Sequence, residues 1–381
     1  MDGLKVRLGI DRLEENKTLF TGKRIGLITN FSGVDSDLND NIRLFLDAGL
    51  KIKKVFSPEH GIYGVADGQA VSDSIHPEYK VPVISLYGDK KKPGSDDLSD
   101  IDLLVYDIQD AGVRYYTYIY TLAYSMEAAS ELNKELIVLD RPNPLGKTVK
   151  GSRIQKEYES FVGGYALPIR YGMTPGELAR YFKNEFKIDV DLDVIRMDNY
   201  KPDMQFPETG LLWNVPSPAI PTYASNVCYS GGCFIEATNL SEGRGSPKPF
   251  QMYGAPWVDM DKIYKWLNKR PFEGFQYRKR AFVPFSSKHE NQICFGIEFF
   301  PVQREADFLP QILYFMRGIT EIHGDKISYN QYADVSRLES LSGDDRIRDY
   351  LEGRMELDTL LEQWRSEEKG FEQLIQNVRL Y

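Results

Sequence analysis

Short, almost continuously apolar runs in the first half of the chain constrain the fold most strongly. They occupy residues 24–30, 51–56, 81–87, 101–107 and 136–140. Stretches with helical spacing of apolar residues lie between some of these runs, and residues 39–48 and 118–132 are the clearest. Strands that are apolar on both faces are typical of a parallel sheet covered by helices on both sides. The pattern therefore predicts an α/β fold built on a Rossmann-like parallel sheet.

Two features indicate two domains: the length of the chain, and a change near Trp257 in the pattern of helical and strand-like segments. A single core stops growing at about 250–300 residues, whereas this chain has 381. We expect residues 1–257 to form the Rossmann-like domain and residues 258–381 to form a smaller α+β auxiliary domain that closes a cleft. Because no G-x-G-x-x-G follows the first apolar run, a dinucleotide site is not expected.

Charge and hydropathy argue against two classes of protein. The formal net charge is -9, whereas a nucleic-acid-binding domain presents a basic face. No apolar run approaches the roughly 20 residues of a membrane span, and Met1 leads directly into a charged segment instead of a signal peptide. We therefore expect no nucleic-acid partner and no membrane span. We also expect either a cytoplasmic protein or one whose leader lies outside this sequence.

Polar residues cluster where the predicted strands end, which is the edge at which open α/β sheets bind ligands. The first cluster is SPEHG, residues 57–61. Pro58 stiffens this turn, and Gly61 tolerates a left-handed backbone. A carboxylate fixed beside an imidazole suits general acid–base catalysis, so Glu59 and His60 are the leading catalytic candidates.

Two further clusters follow later strands. Residues 107–114 contain two aspartates, an amide and an arginine, and residues 140–144 form a proline-rich loop. One aspartate is expected to cap the next helix, which leaves the other for a ligand. The planar guanidinium of arginine suits a substrate carboxylate. The candidates from these clusters are Gln109, Asp110, Arg114, Tyr116, Arg141 and Asn143.

A polar, glycine-rich segment at residues 238–246 supplies more candidates. Glycine lets backbone and side chains approach a ligand closely, but the G-K-[ST] of a phosphate loop is missing. Asn239, Glu242 and Arg244 are the candidates here, with an internal ion pair between the last two as the alternative. His289, in the predicted auxiliary domain, completes the set.

The metal-binding residue types show no spacing that predicts a metal site. Four histidines are scattered without an H-x-H or H-E-x-x-H pattern, and the three cysteines lack a fourth zinc ligand. One alternative stays open, in which Glu59, His60, Asp107 and Asp110 gather around an ion. The protein would then be a metal-dependent hydrolase.

Several segments of the chain occur together, in this order, in one known family. They are SPEHG, DIQDAGVRYYTYIYT, DRPNPLG, RYGMTPGELA, PSPAIPT, EATNLSEGRGSPKPF and GAPW. The chain thus resembles the exo-β-N-acetylmuramidases of the NamZ type, over residues 22–289 and more loosely to its end. The resemblance implies a glycosidase that releases terminal N-acetylmuramic acid from the non-reducing end of peptidoglycan fragments. It also implies a Rossmann-like catalytic domain with an auxiliary domain, no cofactor, and a protein of an exported family.

Three positions depart from the usual pattern of that family. Ala219 stands where the family has Asn, Ala237 where it has Gly, and Tyr171 where it has His. The main carboxylates are unaffected. These differences therefore bear on fine specificity.

The resemblance also gives the candidate residues roles in glycoside hydrolysis. Such enzymes use two carboxyl groups, or one together with the 2-acetamido group of the substrate. Glu59 is expected to protonate the leaving oxygen, with His60 positioning it. Asp110 or Glu242 is the candidate second carboxylate.

The arginines are expected to recognise the lactyl carboxylate that distinguishes muramic acid from glucosamine. Arg114, Arg141 or Arg244 would hold it through charge-assisted hydrogen bonds. The other polar candidates would contact the rest of the muramic acid saccharide. A non-catalytic protein that binds cell-wall sugars is the alternative, and the oligomeric state stays open.

Overall fold

Parallel strands alternate with helices through the first half of the chain, and a smaller antiparallel sheet with further helices follows. The computed structural model describes residues 4–65, 71–332 and 335–381. Its strands are β1 (Arg24–Thr29), β2 (Lys51–Ser57), β3 (Ser74–Ile75), β4 (Pro82–Ser85), β5 (Leu103–Asp107), β6 (Glu135–Leu139), β7 (Lys150–Arg153), β8 (Pro168–Arg170), β9 (Asp191–Ile195), β10 (Met252–Ala255), β11 (Phe275–Phe282), β12 (Cys294–Pro301), β13 (Gln331–Tyr332) and β14 (Val335–Ser336). Its helices are α1 (Asn41–Asp47), α2 (Ser95–Leu98), α3 (Tyr118–Glu131), α4 (Pro175–Glu185), α5 (Tyr223–Gly232), α6 (Met260–Leu267), α7 (Phe308–His323), α8 (Arg337–Ser342), α9 (Arg346–Leu351) and α10 (Leu357–Leu374).

The large sheet has the strand order β3-β4-β2-β1-β5-β6-β9. Its neighbouring strands are parallel, except for the antiparallel pair β3 and β4. The order steps outward from β1 on both sides, as in doubly wound folds. The apolar runs of the sequence correspond to β1, β2, β4, β5 and β6, so the predicted Rossmann-like sheet is confirmed. The carboxyl ends of these strands meet at one edge.

Both faces of the large sheet are buried at its central strand β5, which explains why that strand lacks polar alternation. In β5, Leu103 and Val105 belong to one hydrophobic core, while Leu104 and Tyr106 belong to the other. Successive side chains of a strand point to opposite faces, so a strand between two cores must be apolar at every position.

The helices begin at the capping signals that the sequence carries. Thr174 accepts a hydrogen bond from the backbone N–H of Glu177, and the Glu177 side chain bonds back to the Thr174 backbone. Pro175 occupies the first position of α4, where its missing N–H is not needed. This reciprocal capping box fixes the entry of α4 below the sheet edge.

The second sheet is antiparallel, with the order β10-β12-β11. Tyr253 and Phe299 on its inner face pack against Phe308 and Phe315 of α7. The smaller α+β part of the predicted fold is therefore confirmed. The boundary near Trp257 stays a prediction; β10 lies before it, although β10 is a strand of the second sheet. Buried residues of both halves form one continuous core.

Candidate active site

A cavity of about 400 Å³ lies at the carboxyl edge of the large sheet. This volume is within the roughly 300–1,000 Å³ of ligand sites. Among the described residues it is lined by Glu59, His60, Tyr87, Tyr115, Tyr116, Thr117, Phe161, Val162, Ser217, Ala219, Ile220, Tyr229, Cys233, Glu236, Arg244, Phe250, Arg337 and Leu341. The first half of the chain supplies one wall, and residues beyond 216 supply the rest. The cavity is thus built by both halves together.

Glu59 and His60 enter the cavity from the turn that follows β2. His60 has a φ of 72° and Gly61 has the same value, so two successive left-handed residues bend the chain sharply after Glu59. Glu59 is partly buried, and its Oε2 accepts a hydrogen bond of 2.6 Å from the Thr117 hydroxyl. The His60 ring meets the Tyr118 ring edge-on at 6.4 Å between centroids. The predicted acid therefore lies in the cavity with one oxygen already held.

Tyrosines that follow β5 form the floor of the cavity. The Tyr115 hydroxyl donates to the backbone oxygen of Tyr229 at 3.1 Å, which ties this loop to α5. Tyr116 packs edge-on against Tyr118 at 4.6 Å between ring centroids. Burial raises the pKa of Tyr115 and Tyr116 well above the ordinary value. These phenols stay neutral, and the two tyrosines line the cavity.

A charged wall faces the cavity from the second half of the chain. Glu236 lies between two arginines, with Oε1 at 2.8 Å from Arg244 Nη2 and Oε2 at 3.6 Å from Arg337 Nη2. Burial acts to raise the pKa of Glu236, but the charges of the two arginines outweigh it and hold the pKa below the ordinary value. Glu236 is therefore an anion at neutral pH.

Glu242 extends this charged wall behind the lining residues. Its Oε1 lies 3.3 Å from Arg244 Nε, and its Oε2 lies 3.0 Å from Lys288 Nζ. The alternative of an internal ion pair between Glu242 and Arg244 is thus what the structure contains. Glu242 and Lys288 thus belong to the same group of charged side chains as Glu236, Arg244 and Arg337.

Arg114 does not line the cavity, because its guanidinium donates hydrogen bonds to four backbone carbonyl oxygens. Nη1 donates to the oxygens of Ser152 and Leu167 at 2.7 and 2.9 Å. Nη2 donates to the oxygens of Leu341 and Ser342 at 2.9 and 2.6 Å. The side chain is completely buried, and burial lowers its pKa. Arg114 was expected to contact the ligand; in the structure it holds the carboxyl end of α8, the helix that carries Arg337.

Asp110 and Gln109 lie below the cavity instead of lining it. Asp110 Oδ2 accepts from the backbone N–H of Gly112 at 2.8 Å and from the Tyr171 hydroxyl. Burial raises the pKa of Asp110 to about 7. Gln109 Nε2 donates to the backbone oxygens of Asp110 and Pro142. Both side chains brace the loop that presents the tyrosines, and neither is among the lining residues of this cavity.

Arg141 and Asn143 also brace the sheet edge. Arg141 Nε lies 2.7 Å from Asp107 Oδ1, and both side chains are buried. Asn143 Nδ2 donates to the Met173 backbone oxygen at 2.9 Å, and its Oδ1 accepts from the N–H of Leu145. Neither lines the cavity.

Asn239 and His289 bond to the backbone of the second half. Asn239 Nδ2 donates to the Lys326 oxygen at 2.9 Å, and its Oδ1 accepts from the N–H of Ser328. His289 Nε2 lies 2.7 Å from the Asn239 backbone oxygen. These contacts fasten the glycine-rich segment, and neither side chain is among the lining residues.

The structure thus brings Glu59, His60, Tyr116 and Arg244 together, and it adds Glu236 and Arg337, which the sequence analysis missed as site residues. Glu236 begins the family segment EATNLSEGRGSPKPF, so that segment was an available signal. Arg337 follows no strand of the large sheet and had no such signal.

The described residues contain no group of three or more His, Cys, Asp or Glu side chains placed to hold a metal ion. Of the set in the metal-dependent alternative, Asp107 pairs with Arg141, and Asp110 bonds to Tyr171 and Gly112. In the part of the chain that the structure describes, no helix is long and apolar enough to cross a membrane.

Known proteins resemble the whole chain. Two protein-family models match the chain. The one described as exo-beta-N-acetylmuramidase NamZ, N-terminal, matches residues 25–224, and the one described as exo-beta-N-acetylmuramidase NamZ, C-terminal, matches residues 227–381. The chain is 38% identical to the peptidoglycan beta-N-acetylmuramidase NamZ of Bacillus subtilis (strain 168), over 99% of this chain and 91% of the relative. Crystal structures of two DUF1343 family proteins from Bacteroides fragilis NCTC 9343 each match 99% of both chains, one with a TM-score of 0.90 at 34% identity and the other with 0.79 at 27%.

An acid candidate in an aromatic cavity at the carboxyl edge of a parallel sheet lies where α/β enzymes bind their ligands. The chain belongs to the exo-β-N-acetylmuramidase NamZ family. The predicted enzyme class, a glycosidase, is confirmed.

Replacing Arg114 by Met should lower the free energy of unfolding by about 3 kcal/mol or more, because four buried carbonyl oxygens lose their donors. Denaturant unfolding measures this change. The matched control is Arg43→Ala, which removes an exposed ion pair with Asp47 and should change stability by about 0.5 kcal/mol or less. Equal effects of the two substitutions would contradict the bracing role of Arg114.

Proposed function

We propose that this enzyme releases terminal N-acetylmuramic acid from the non-reducing end of peptidoglycan fragments, and that hydrolysis takes place in the sheet-edge cavity. The observation that carries the proposal is a carboxyl group, Glu59, in one cavity with a cationic wall formed by Arg244 and Arg337. A general acid can protonate the leaving oxygen of any glycoside, so Glu59 by itself does not select the sugar. The cations fit a sugar that itself bears a carboxylate.

Glu59 is the proton donor in this proposal. It passes its proton to the glycosidic oxygen as the bond from that oxygen to C1 breaks. Water then supplies the hydroxyl at C1, and the remaining proton of that water returns to the Glu59 carboxylate. Of the two carboxyl groups that line the cavity among the described residues, Glu236 is held as an anion by two arginines. An anion fixed in this way is unsuited to donate a proton, which favours Glu59.

The positive charge that develops at C1 is met by the 2-acetamido group of the substrate. Asp110 and Glu242 were the candidates for this task, but one is bonded below the cavity and the other behind its charged wall. Assistance by the acetamido group is an established exception to the use of two enzyme carboxyl groups. N-acetylmuramic acid carries that group.

Arg244 and Arg337 hold the lactyl carboxylate of the sugar. Both guanidinium groups line the cavity, and guanidinium binds carboxylates through charge-assisted hydrogen bonds. The existing ion pairs fix the guanidinium groups before the sugar arrives, so less conformational entropy is lost on binding. Arg114 and Arg141, the other arginines considered, are bonded elsewhere.

Replacing Glu59 by Gln should lower kcat for a muramic acid–glucosamine disaccharide by about 10²–10⁴-fold, because general acid catalysis contributes a factor of that size. Release of free N-acetylmuramic acid is the measurement, with and without a chelator. Glu127→Gln is the control. Glu127 lies on α3 and accepts a hydrogen bond from the Tyr165 hydroxyl, outside the cavity. Near wild-type turnover of the Glu59 variant would refute the assignment, and loss of wild-type activity with chelator would favour the metal-dependent alternative.

Thr117 positions Glu59, so Thr117→Val should lower kcat for the disaccharide by about tenfold through loss of one hydrogen bond to the acid. Thr117→Ser keeps the hydroxyl and should restore most of the rate. Combined with Glu59→Gln, the Val substitution should cause little further loss, which a double-mutant cycle measures.

Thr121→Val is the matched control for Thr117, because Thr121 lies one turn further along α3 and is buried outside the cavity. It should keep the wild-type kcat. A full additional loss in the Glu59→Gln background would show that Thr117 acts independently of Glu59.

Replacing Arg244 or Arg337 by Gln should reduce the preference for an N-acetylmuramide over an N-acetylglucosaminide by about 10²-fold, because a charge-assisted pair with the lactyl group is lost. The ratio of kcat/KM for the two glycosides measures this preference. Arg348→Gln is the control, since Arg348 pairs with Glu339 outside the cavity. An unchanged ratio in both cavity variants would remove the lactyl assignment.

A further inference from the structure

Tyr87 and Glu59 follow two neighbouring strands of the large sheet, β4 and β2, at its carboxyl edge. In the parallel pair of β2 and β4, Ser57 lies opposite Ser85, and the N–H of Leu86 donates to the Ser57 oxygen at 2.8 Å. Glu59 and Tyr87 each follow two residues after the paired serines. Both side chains line the sheet-edge cavity.

Phe161 reaches the same part of the cavity from the segment between β7 and β8. The N–H of Ser160 donates to the Gly163 oxygen at 2.6 Å, and the N–H of Gly163 donates back to Ser160 at 3.1 Å. These reciprocal bonds close a tight turn with Phe161 and Val162 at its tip. The Phe161 and Tyr87 ring centroids lie 6.2 Å apart.

The Phe161 ring is also held in place from other directions. Tyr120 and Tyr124 of α3 lie against it at 6.1 and 6.2 Å between centroids. The Lys91 ammonium lies 4.4 Å from its centroid, a cation–π contact. An aromatic group supported in this way is fixed before any ligand binds, although it is only partly buried.

We propose that Tyr87 and Phe161 form the subsite for the leaving saccharide, the sugar on the other side of the bond that is cut. The inference rests on the proposed function, in which Glu59 protonates the leaving oxygen. Side chains next to the proton donor then contact the leaving group, and aromatic rings pack well on the C–H faces of a pyranose. The charged wall with Arg244 and Arg337 is left for the muramic acid itself. The class of ligand is an uncharged or amide-bearing hexopyranose such as N-acetylglucosamine.

The test compares two substrates that share the muramic acid and differ in the leaving group. One is the muramic acid–glucosamine disaccharide, and the other is N-acetylmuramyl fluoride, whose leaving group is too small to reach the subsite. Tyr87→Ala and Phe161→Ala should each lower kcat/KM for the disaccharide by about tenfold. Both variants should keep kcat/KM for the fluoride within about twofold of wild type. Tyr87→Phe retains the ring and should retain the disaccharide activity.

Phe285→Ala is the control for loss of an aromatic side chain, since Phe285 is 73% exposed and does not line the cavity. It should leave both rates unchanged. Equal losses of a Tyr87 or Phe161 variant on both substrates, or no loss on the disaccharide, would overturn the subsite. If the wild-type enzyme released no N-acetylmuramic acid from either substrate, the proposed function would fail first. Thermal unfolding of each variant establishes that it is folded.

Discussion

The buried guanidinium of Arg114 is the contact on which the cavity depends most. It comes from the loop after β5 and donates to the backbone oxygens of Ser152 in β7 and of Leu167, which precedes β8. It also donates to the last two carbonyl oxygens of α8. A cation at the carboxyl end of a helix also meets the negative end of its dipole. Gly343 follows with a φ of 79°, and a Cβ there would lie 2.8 Å from Arg114 Nη2. Only glycine lets the arginine approach this closely.

The other charged side chains at the strand ends also form ion pairs or hydrogen bonds within the protein. Asp107 and Arg141 form a buried ion pair, and Asp140 accepts from Thr174 and from the first turn of α4. Burial of such groups is tolerated only when their hydrogen-bonding capacity is satisfied. The sheet edge is therefore braced by polar residues, and the cavity that Glu59 lines forms above this bracing layer.

The fold and part of the site could be predicted because short, continuous segments of the sequence determine both. Apolar runs define β1, β2 and β5, and Glu59 follows β2 within two residues. The arginines show where such reasoning stops: sequence cannot tell whether a strand-end Arg114 faces a ligand or a carbonyl 228 residues away. The approach of α8 to the sheet edge is a tertiary contact between distant segments, so Arg337 carried no local signal. The pairing of Glu236 with Arg337 could therefore be found only from the structure.

The division of the cavity between the two halves of the chain has a chemical reason. A proton donor works best away from fixed cations, which favour the anionic form of a carboxyl group. In this structure the sheet edge supplies Glu59 with a neutral hydroxyl partner, Thr117, and with tyrosines. The arginines come from the second half and are already paired with Glu236 and Glu242. In the proposed reaction, a charged sugar would be recognised through one wall and protonated from the other.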